Sequence, residues 1–413
     1  MLTLPQWKAN YAVFFLVPVF VAPCFGADRP AKAAAANPLP RVFLLNASEL
    51  ANVRMADEHN QSRIETVQTA VTEADHVMTQ GPFSVMDKTV TPPSGDKHDY
   101  MSQAPYFWPD PNKPNGLPYI RRDGEHNPEI RKITDHDEFG RMGQDARTLA
   151  LAYYFTDKPE YGDRAALLLR TWFLDAATKM NPNLEFGQGI PGINTGRGIG
   201  IIESRALVDV TDAVGLLAGS KAWTAADQQG IKDWLSQYLN WMRTSEKGKA
   251  EDAAKNNHGT WYDLQVTDIA LFLGDRQLAV DTLERVKTRR IAVQIEPDGR
   301  QPLELVRTNA WGYSNGNLDG LCKLATLGDE AGVDLWNFKT ADGRSIRAAV
   351  DFLVPYAAGE KKWDYQQIGG FHAGAMLPTL LRAAQAYHDS KYAALAEKLD
   401  GRENIETMLL KGE

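Results

Sequence analysis

The chain of 413 residues contains only two cysteines, Cys24 and Cys322. Cys24 falls in an N-terminal export-type segment, so a processed chain would keep one thiol and could form no internal disulfide. Positive charge is in deficit, with 45 Lys and Arg against 53 Asp and Glu. A formal net charge of −8 and a pI near 5.6 argue against a nucleic-acid binder with a broad basic face. Mild acidity still permits an anionic substrate, because a locally basic groove can sit on an acidic protein. No apolar run reaches membrane-spanning length: "YAVFFLVPVFVA" is twelve residues long and is interrupted by Pro18. There is no GxSxG, no phosphate-binding loop, no GxGxxG after a strand and no HExxH. His126, Asp135, His136 and Asp137 lie close together in sequence, but their spacing fits no metal motif, so neither a metal nor another cofactor is expected. Alternating strand patterns are few, with "IAVQI" (291–295) the best short candidate and a helical continuation its alternative, and no short repeat points to a solenoid.

What is present begins with the N-terminus. Lys8, the apolar run and the small residues of "CFGA" read as a signal peptide over residues 1–26, with Pro23 arguing against lipidation of Cys24. "AKAAAANPLP" reads as part of a flexible leader over 27–44, followed by a single domain over 45–413. A periplasmic or secreted protein, with no membrane span after cleavage, is the expectation.

Beyond residue 140 the pattern is helical. "GDRAALLLRTWFLDAAT" puts Ala165, Leu168, Leu169, Trp172 and Phe173 on one face. Thr224 and Asp227 form a helix-start signal ahead of Ile231, Trp234, Leu235, Tyr238, Leu239 and Met242. Similar stripes run through 142–156, 202–218, 260–273, 276–290, 314–327, 344–358 and 373–398. An all-α chain of this length is most simply an array of antiparallel hairpins, and closure into an α/α toroid is one such arrangement. Three long loops interrupt it, over 91–129, 181–200 and 296–317. Long irregular loops in a compact domain are more often functional than idle.

Asn257–His258 in "NNHGTW" sit where a helix begins, and Asn257 alone would read as its cap. In "PLELVRTNAWGYS", Arg307 and Tyr313 stand six residues apart with Trp311 between them. "HDYMSQAPYFWPDP" supplies His98, Tyr100, Tyr106, Phe107 and Trp108. Each stretch alone is as well explained by packing. Together they offer an amide, an imidazole, a guanidinium and a phenol with no obvious carboxylate pair. That set suits proton abstraction beside a carboxylate, where the enolate-like charge must be neutralised. A glycosidase would want two carboxylates flanking the bond.

These three motifs, in this order, resemble the alginate lyase superfamily, including polysaccharide lyase family 5 and the related family 38, over roughly residues 45–390. The resemblance implies an incomplete α/α toroid with a deep cleft that cuts 4-linked polyuronate by β-elimination without a cofactor. It implies that Asn257 holds the +1 uronate carboxylate and that His258 is the base or a carboxylate neutraliser. Arg307 would share the neutralisation, and Tyr313 would be the general acid and, if H5 and the leaving oxygen share a face, also the base. Tyr100 and Tyr106 would line subsites, Trp108 would be a stacking platform and Arg197 would bind another uronate. His98, Trp261 and Trp311, adjacent to these groups, complete the substrate-binding set. The pattern departs from family 5 at Gly259–Thr260 before Trp261, in the Arg307–Tyr313 interval and at Ser314, which favours the family 38-like side. The expected partner is an anionic polyuronate met by a monomer, with alginate or polymannuronate ahead of glucuronan. The competing readings are an α/α-toroid glycoside hydrolase drawing on Glu203, Glu296, Asp298 and Glu304, and a non-catalytic polysaccharide-binding protein.

Overall fold

The 3.6-residue spacing of apolar side chains is realised along most of the chain. The computed structural model describes residues 39–55, 59–399 and 404–412. The expected signal peptide, 1–26, and leader residues 27–38 lie outside the described residues. Among the described residues, no helix is long and apolar enough to cross a membrane.

The longer helices include α1 (Asp135–Thr156), α2 (Pro159–Phe173), α3 (Leu207–Leu217), α4 (Ala225–Thr244), α5 (Glu246–Asp252), α6 (Asn257–Leu273), α7 (Arg276–Val286), α8 (Ala310–Ala331), α9 (Ile346–Ala357) and α10 (Leu377–Tyr387). Neighbours in sequence pack as neighbours in space: α1 lies against α2 and α3, and α6 against α7 and α8. The architecture is an incomplete α/α toroid. Its core carries Phe139 stacked on Trp172, with ring centroids 5.2 Å apart, and Trp234 stacked on Tyr238 at 5.3 Å. Thr224 and Asp227 form the full reciprocal capping box at the start of α4.

Residues 291–294 continue a helix, the alternative open for that stretch, and Ile295 is extended. The strands that exist come from two of the long loops: β1 (Met101–Gln103) pairs in parallel with β4 (Phe186–Gly189), and β2 (Phe107–Trp108) pairs antiparallel with β3 (Ile120–Arg121). The leader was expected to run to residue 44, yet Val42, Phe43 and Leu44 are buried in the core. The Phe43 N–H donates to Asp212 Oδ1 at 2.7 Å and Arg41 Nη2 donates to the Leu271 carbonyl at 2.7 Å. An apolar run with a buried acceptor waiting for its backbone packs as core.

The loop that carries β1 is tied down by charge. Lys88 and Asp135, neither with any exposed side-chain surface, pair at 3.0 Å. The Met101 N–H donates to the same Asp135 oxygen at 2.9 Å. Burial pushes the Asp135 carboxyl up to about 6, against the pull of the Lys88 charge. This anchor sets β1 against the start of α1.

A second anchor supports the start of α6. Residues Lys287–Ile291 form a π-helical turn after α7. Within it, Arg289 pairs with Asp252, and Arg290 reaches three acceptors: Asp263 at 2.7 Å, the Ala254 carbonyl at 2.8 Å and the Asp252 carbonyl at 2.9 Å. Arg290 is 1% exposed and so joins α7, the end of α5 and α6 through one buried cation. Removing one member of a buried ion pair strands the other. Arg290→Leu should therefore lower the unfolding free energy by about 3–5 kcal/mol in urea denaturation, and a loss under about 1 kcal/mol would mean that Asp263 finds another partner.

Candidate active site

The start of α6, the loop 101–137, the loop 181–205 and the segment 307–317 enclose a cleft of about 770 Å³. Asn257 is the first residue of α6, and Asn256, in extended backbone, precedes it without a side-chain cap. The cap expected of Asn257 comes from elsewhere. Glu304, 1% exposed, accepts the Asn257 main-chain N–H at 2.7 Å and its side-chain Nδ2–H at 2.8 Å. Burial raises the Glu304 carboxyl above its ordinary range, partly offset by these two donors. A carboxylate at a helix N-terminus also meets the positive end of the helix dipole.

His258 follows. Its Nδ1 lies 2.8 Å from Oε1 of Glu251, a residue of α5 with no exposed surface. With Glu251 accepting the Nδ1–H, the Nε2 lone pair is the side left open as an acceptor. Gly259 has a packing reason: a Cβ there would lie 2.3 Å from the Ala254 carbonyl oxygen and 2.5 Å from Arg290 Nη1. The unusual Gly259–Thr260 step is therefore the space in which Arg290 sits.

Arg307 and Tyr313 meet in the same cleft. Arg307 Nη2 donates to Tyr313 Oη at 2.8 Å, and the guanidinium carbon lies 3.7 Å from the Tyr313 ring centroid. Tyr313 Oη in turn donates to Tyr106 Oη at 2.7 Å. Burial, then the bond to Tyr106, pushes the Tyr313 phenol well above its ordinary value, with Arg307 pulling the other way. Arg307 is not free: Asp123 accepts from its Nε and from its Nη2, the latter at 2.7 Å. Burial alone would raise Asp123, but its bonds to Arg307 and the Thr308 N–H bring it down to about 2. Neither Asp123 nor Glu251 stood out in the sequence, since each is recognisable only by its partner.

Among the expected substrate-binding residues, Tyr106, Arg197 and Trp261 line the cleft. Arg197 donates through Nε to the Gln188 carbonyl at 3.0 Å and through Nη2 to Gln188 Oε1 at 2.7 Å, with its guanidinium 5.3 Å from the Phe107 ring. Burial lowers it to about 10, so it stays cationic at neutral pH, and among the described residues no carboxylate forms an ion pair with it. Trp261 is 8% exposed and offers the cleft an edge, with Arg205 5.7 Å and Lys323 5.5 Å from its ring.

The other four do not line it. Tyr100 is fully buried against Phe139 and donates to Glu203 at 2.7 Å. Trp311 is 1% exposed, with its indole N–H on the His372 carbonyl. His98 Nδ1 lies against the Lys179 carbonyl at 2.6 Å. Trp108 follows Phe107 in β2, and alternate strand residues face opposite ways. Phe107 takes the cleft side, while Trp108 donates to the Glu125 carbonyl beneath Arg122.

The carboxylates weighed for hydrolysis are not gathered as a pair. Glu304 is committed to Asn257, and Glu203 accepts from Tyr100 and Ser102. Glu296 and Asp298 are absent from the cleft lining. That lining carries Arg121, Arg131, Arg197, Arg205 and Arg307 against only Asp137 and Glu203, a local cationic excess on an acidic chain. No group of three or more His, Cys, Asp or Glu among the described residues could hold a metal ion.

The family model for alginate lyases matches residues 84–363. A crystal structure of an alginate lyase from Bacteroides ovatus is 41% identical, with a TM-score of 0.86, and the match covers 91% of this chain and 100% of that one. Alginate lyase A1-III from Sphingomonas species A1 is 16% identical, with a TM-score of 0.54, over 87% of this chain and 92% of that one. A variant of A1-III complexed with tetrasaccharide gives 16% and 0.56, over 86% and 92%. At that identity the A1-III likeness is one of fold. No curated protein matches the chain.

Glu304→Ala would leave two Asn257 donors without their acceptor. It should cost about 1–3 kcal/mol in urea denaturation, and Glu304→Gln, which keeps one acceptor oxygen, should cost less. Equal stability of all three proteins would show that the cap is supplied by another group.

Proposed function

Since the chain belongs to the alginate lyase family and is a polysaccharide lyase acting on alginate, we propose that it cleaves 1,4-linked polyuronate by β-elimination at Asn257, His258, Arg307 and Tyr313. The observation that carries this reading is the Tyr313 hydroxyl, held between the Arg307 guanidinium and the Tyr106 hydroxyl within a basic cleft. In the proposed reaction a base removes H5 of the +1 uronate and the C–H electron pair moves toward the carboxylate as an enolate-like dianion. The C4=C5 bond then forms as the C4–O4 bond breaks, and the departing oxygen takes a proton.

Burial holds the Tyr313 phenol protonated, the form a donor to that oxygen needs. Charge building on the uronate carboxylate would be met by the Asn257 amide and by the Nη1 side of Arg307, the side not turned to Asp123 or Tyr313. Substrate stereochemistry selects the base. In mannuronate and glucuronate H5 and O4 share a face, so one tyrosine can serve both steps. In guluronate they lie on opposite faces, and His258 Nε2, oriented through Glu251, becomes the base.

Polymannuronate is the preferred substrate in this reading, with glucuronan next, and Tyr106, Arg197 and Trp261 bind neighbouring sugars. The twelve-residue apolar run ahead of "CFGA" supports export to the periplasm or beyond, where the enzyme would work as a monomer.

The test is ultraviolet absorbance of the 4,5-unsaturated product with polymannuronate, polyguluronate and glucuronan side by side. New reducing ends without that chromophore would move the chemistry to hydrolysis. Tyr313→Phe should lower turnover by about 10²–10⁴-fold while leaving oligosaccharide binding in place; turnover equal to the parent would remove Tyr313 from the reaction.

A further inference from the structure

We infer that Asp123 is a positioning residue for this reaction, fixing Arg307 so that Nη2 is aimed at Tyr313 Oη while the Tyr106 hydroxyl is brought to the same oxygen. The inference rests on the reading of Tyr313 as the proton-transfer group.

The contacts form a closed ring. Asp123 Oδ1 accepts from Arg307 Nη2 at 2.7 Å and Nε at 3.1 Å, and Oδ2 accepts from Nε at 3.0 Å. Arg307 passes to Tyr313 at 2.8 Å and Tyr313 to Tyr106 at 2.7 Å. Tyr106 returns to the start through its carbonyl, which accepts the Arg122 N–H at 2.7 Å, one residue before Asp123. The β2–β3 hairpin that carries Tyr106 and the segment that carries Arg307 are thereby held in a single register.

The turn after β3, which carries Asp123, is docked tightly. The Thr308 hydroxyl donates to the Asp123 carbonyl at 2.8 Å, and the Thr308 N–H reaches Asp123 Oδ2 at 3.2 Å. Gly124 sits at φ +75°, and a Cβ there would lie 2.4 Å from Thr308 Oγ1 and 2.5 Å from Ile368 Cδ1, so both side chains would have to shift.

A binding role does not explain Asp123. Its charge offsets both Arg307 and Arg121, the latter at 2.6 Å, two of the cations that line the cleft. A negative group there opposes a polyanionic substrate. What it gives instead is orientation: two oxygens fix the rotation of a planar guanidinium that a lone hydrogen bond would leave free. A guanidinium displaced by about 1 Å can cost about 10²-fold in rate.

The experiment compares the parent with Asp123→Asn, Asp123→Glu and Tyr313→Phe on whichever of polymannuronate, polyguluronate and glucuronan the parent cleaves fastest, with melting temperatures recorded. Asp123→Asn should lose about 10²-fold in kcat, while KM stays equal or falls as Arg121 and Arg307 are released toward the polyanion. Asp123→Glu, which restores the charge, should recover part of kcat. If the Asn variant melts too low to assay, the Glu variant alone carries the test, with kcat lowered and KM held. A kcat within threefold of the parent, or a loss confined to KM, overturns the inference. Should Tyr313→Phe turn over like the parent, the failure lies with the reading of Tyr313; should Tyr313→Phe be inactive while Asp123→Asn matches the parent, only the role of Asp123 fails.

Discussion

The carboxylate of Glu304 reaches from the segment before α8 to the first turn of α6, accepting both the main-chain and the side-chain N–H of Asn257. That bond fixes where α6 begins, hence where His258 points and how Asn257 presents its amide. It also ties the segment leading to Arg307 and Tyr313 to the helix that lines the same cleft. Without it the first turn of α6 would end in buried, unpaired donors. The other pieces then fall into place around a fixed origin: Glu251 orients His258 from behind, and Arg290 closes the turn between α5 and α6.

Carboxylates recur in this role. Glu203 joins Tyr100 and Ser102 to the wall of the cleft, and Asp123 joins the β2–β3 hairpin to Arg307. Each of these acids accepts from donors of the protein, while five arginines line the cleft. The division suits a site for a polyanion. Negative charge serves as internal fastening, where neighbouring donors compensate its desolvation, and positive charge is left toward the substrate. An overall charge of −8 therefore says little about what the cleft attracts.

Much of this was legible in the sequence, for identifiable reasons. Apolar periodicity located the helices because burial of one face dictates that spacing. "NNHGTW" and "PLELVRTNAWGYS" brought Asn257, His258, Arg307 and Tyr313 into one cleft as their resemblance implied. Aromatic loop residues were less readable, since a ring in an irregular segment serves a core as readily as a cleft. Tyr100 and Trp311 went to the core, and the pleat of β2 exchanged Phe107 for Trp108. The fastening acids were hidden for a different reason. Glu304 meets its partner 47 residues away and Asp123 meets Arg307 across 184, separations that no local pattern encodes. The two small sheets arise in the same way, from pairings between distant loop segments or across irregular turns.

The π-helical turn at Lys287–Ile291 bears on how this sequence can change. Such a turn holds one residue more than the α-helical turn it replaces, and here the surplus brings Arg289 and Arg290 together at the end of α5. Deleting one residue from those five would remove the surplus and redraw the turn that places Arg289 and Arg290. Arg290 would then leave the hollow that Gly259 keeps open. The length of this segment is thus coupled to the identity of a glycine some thirty positions earlier. Single-residue indels between α7 and the cleft segment should be tolerated far less readily than substitutions, even though none of these residues faces the substrate.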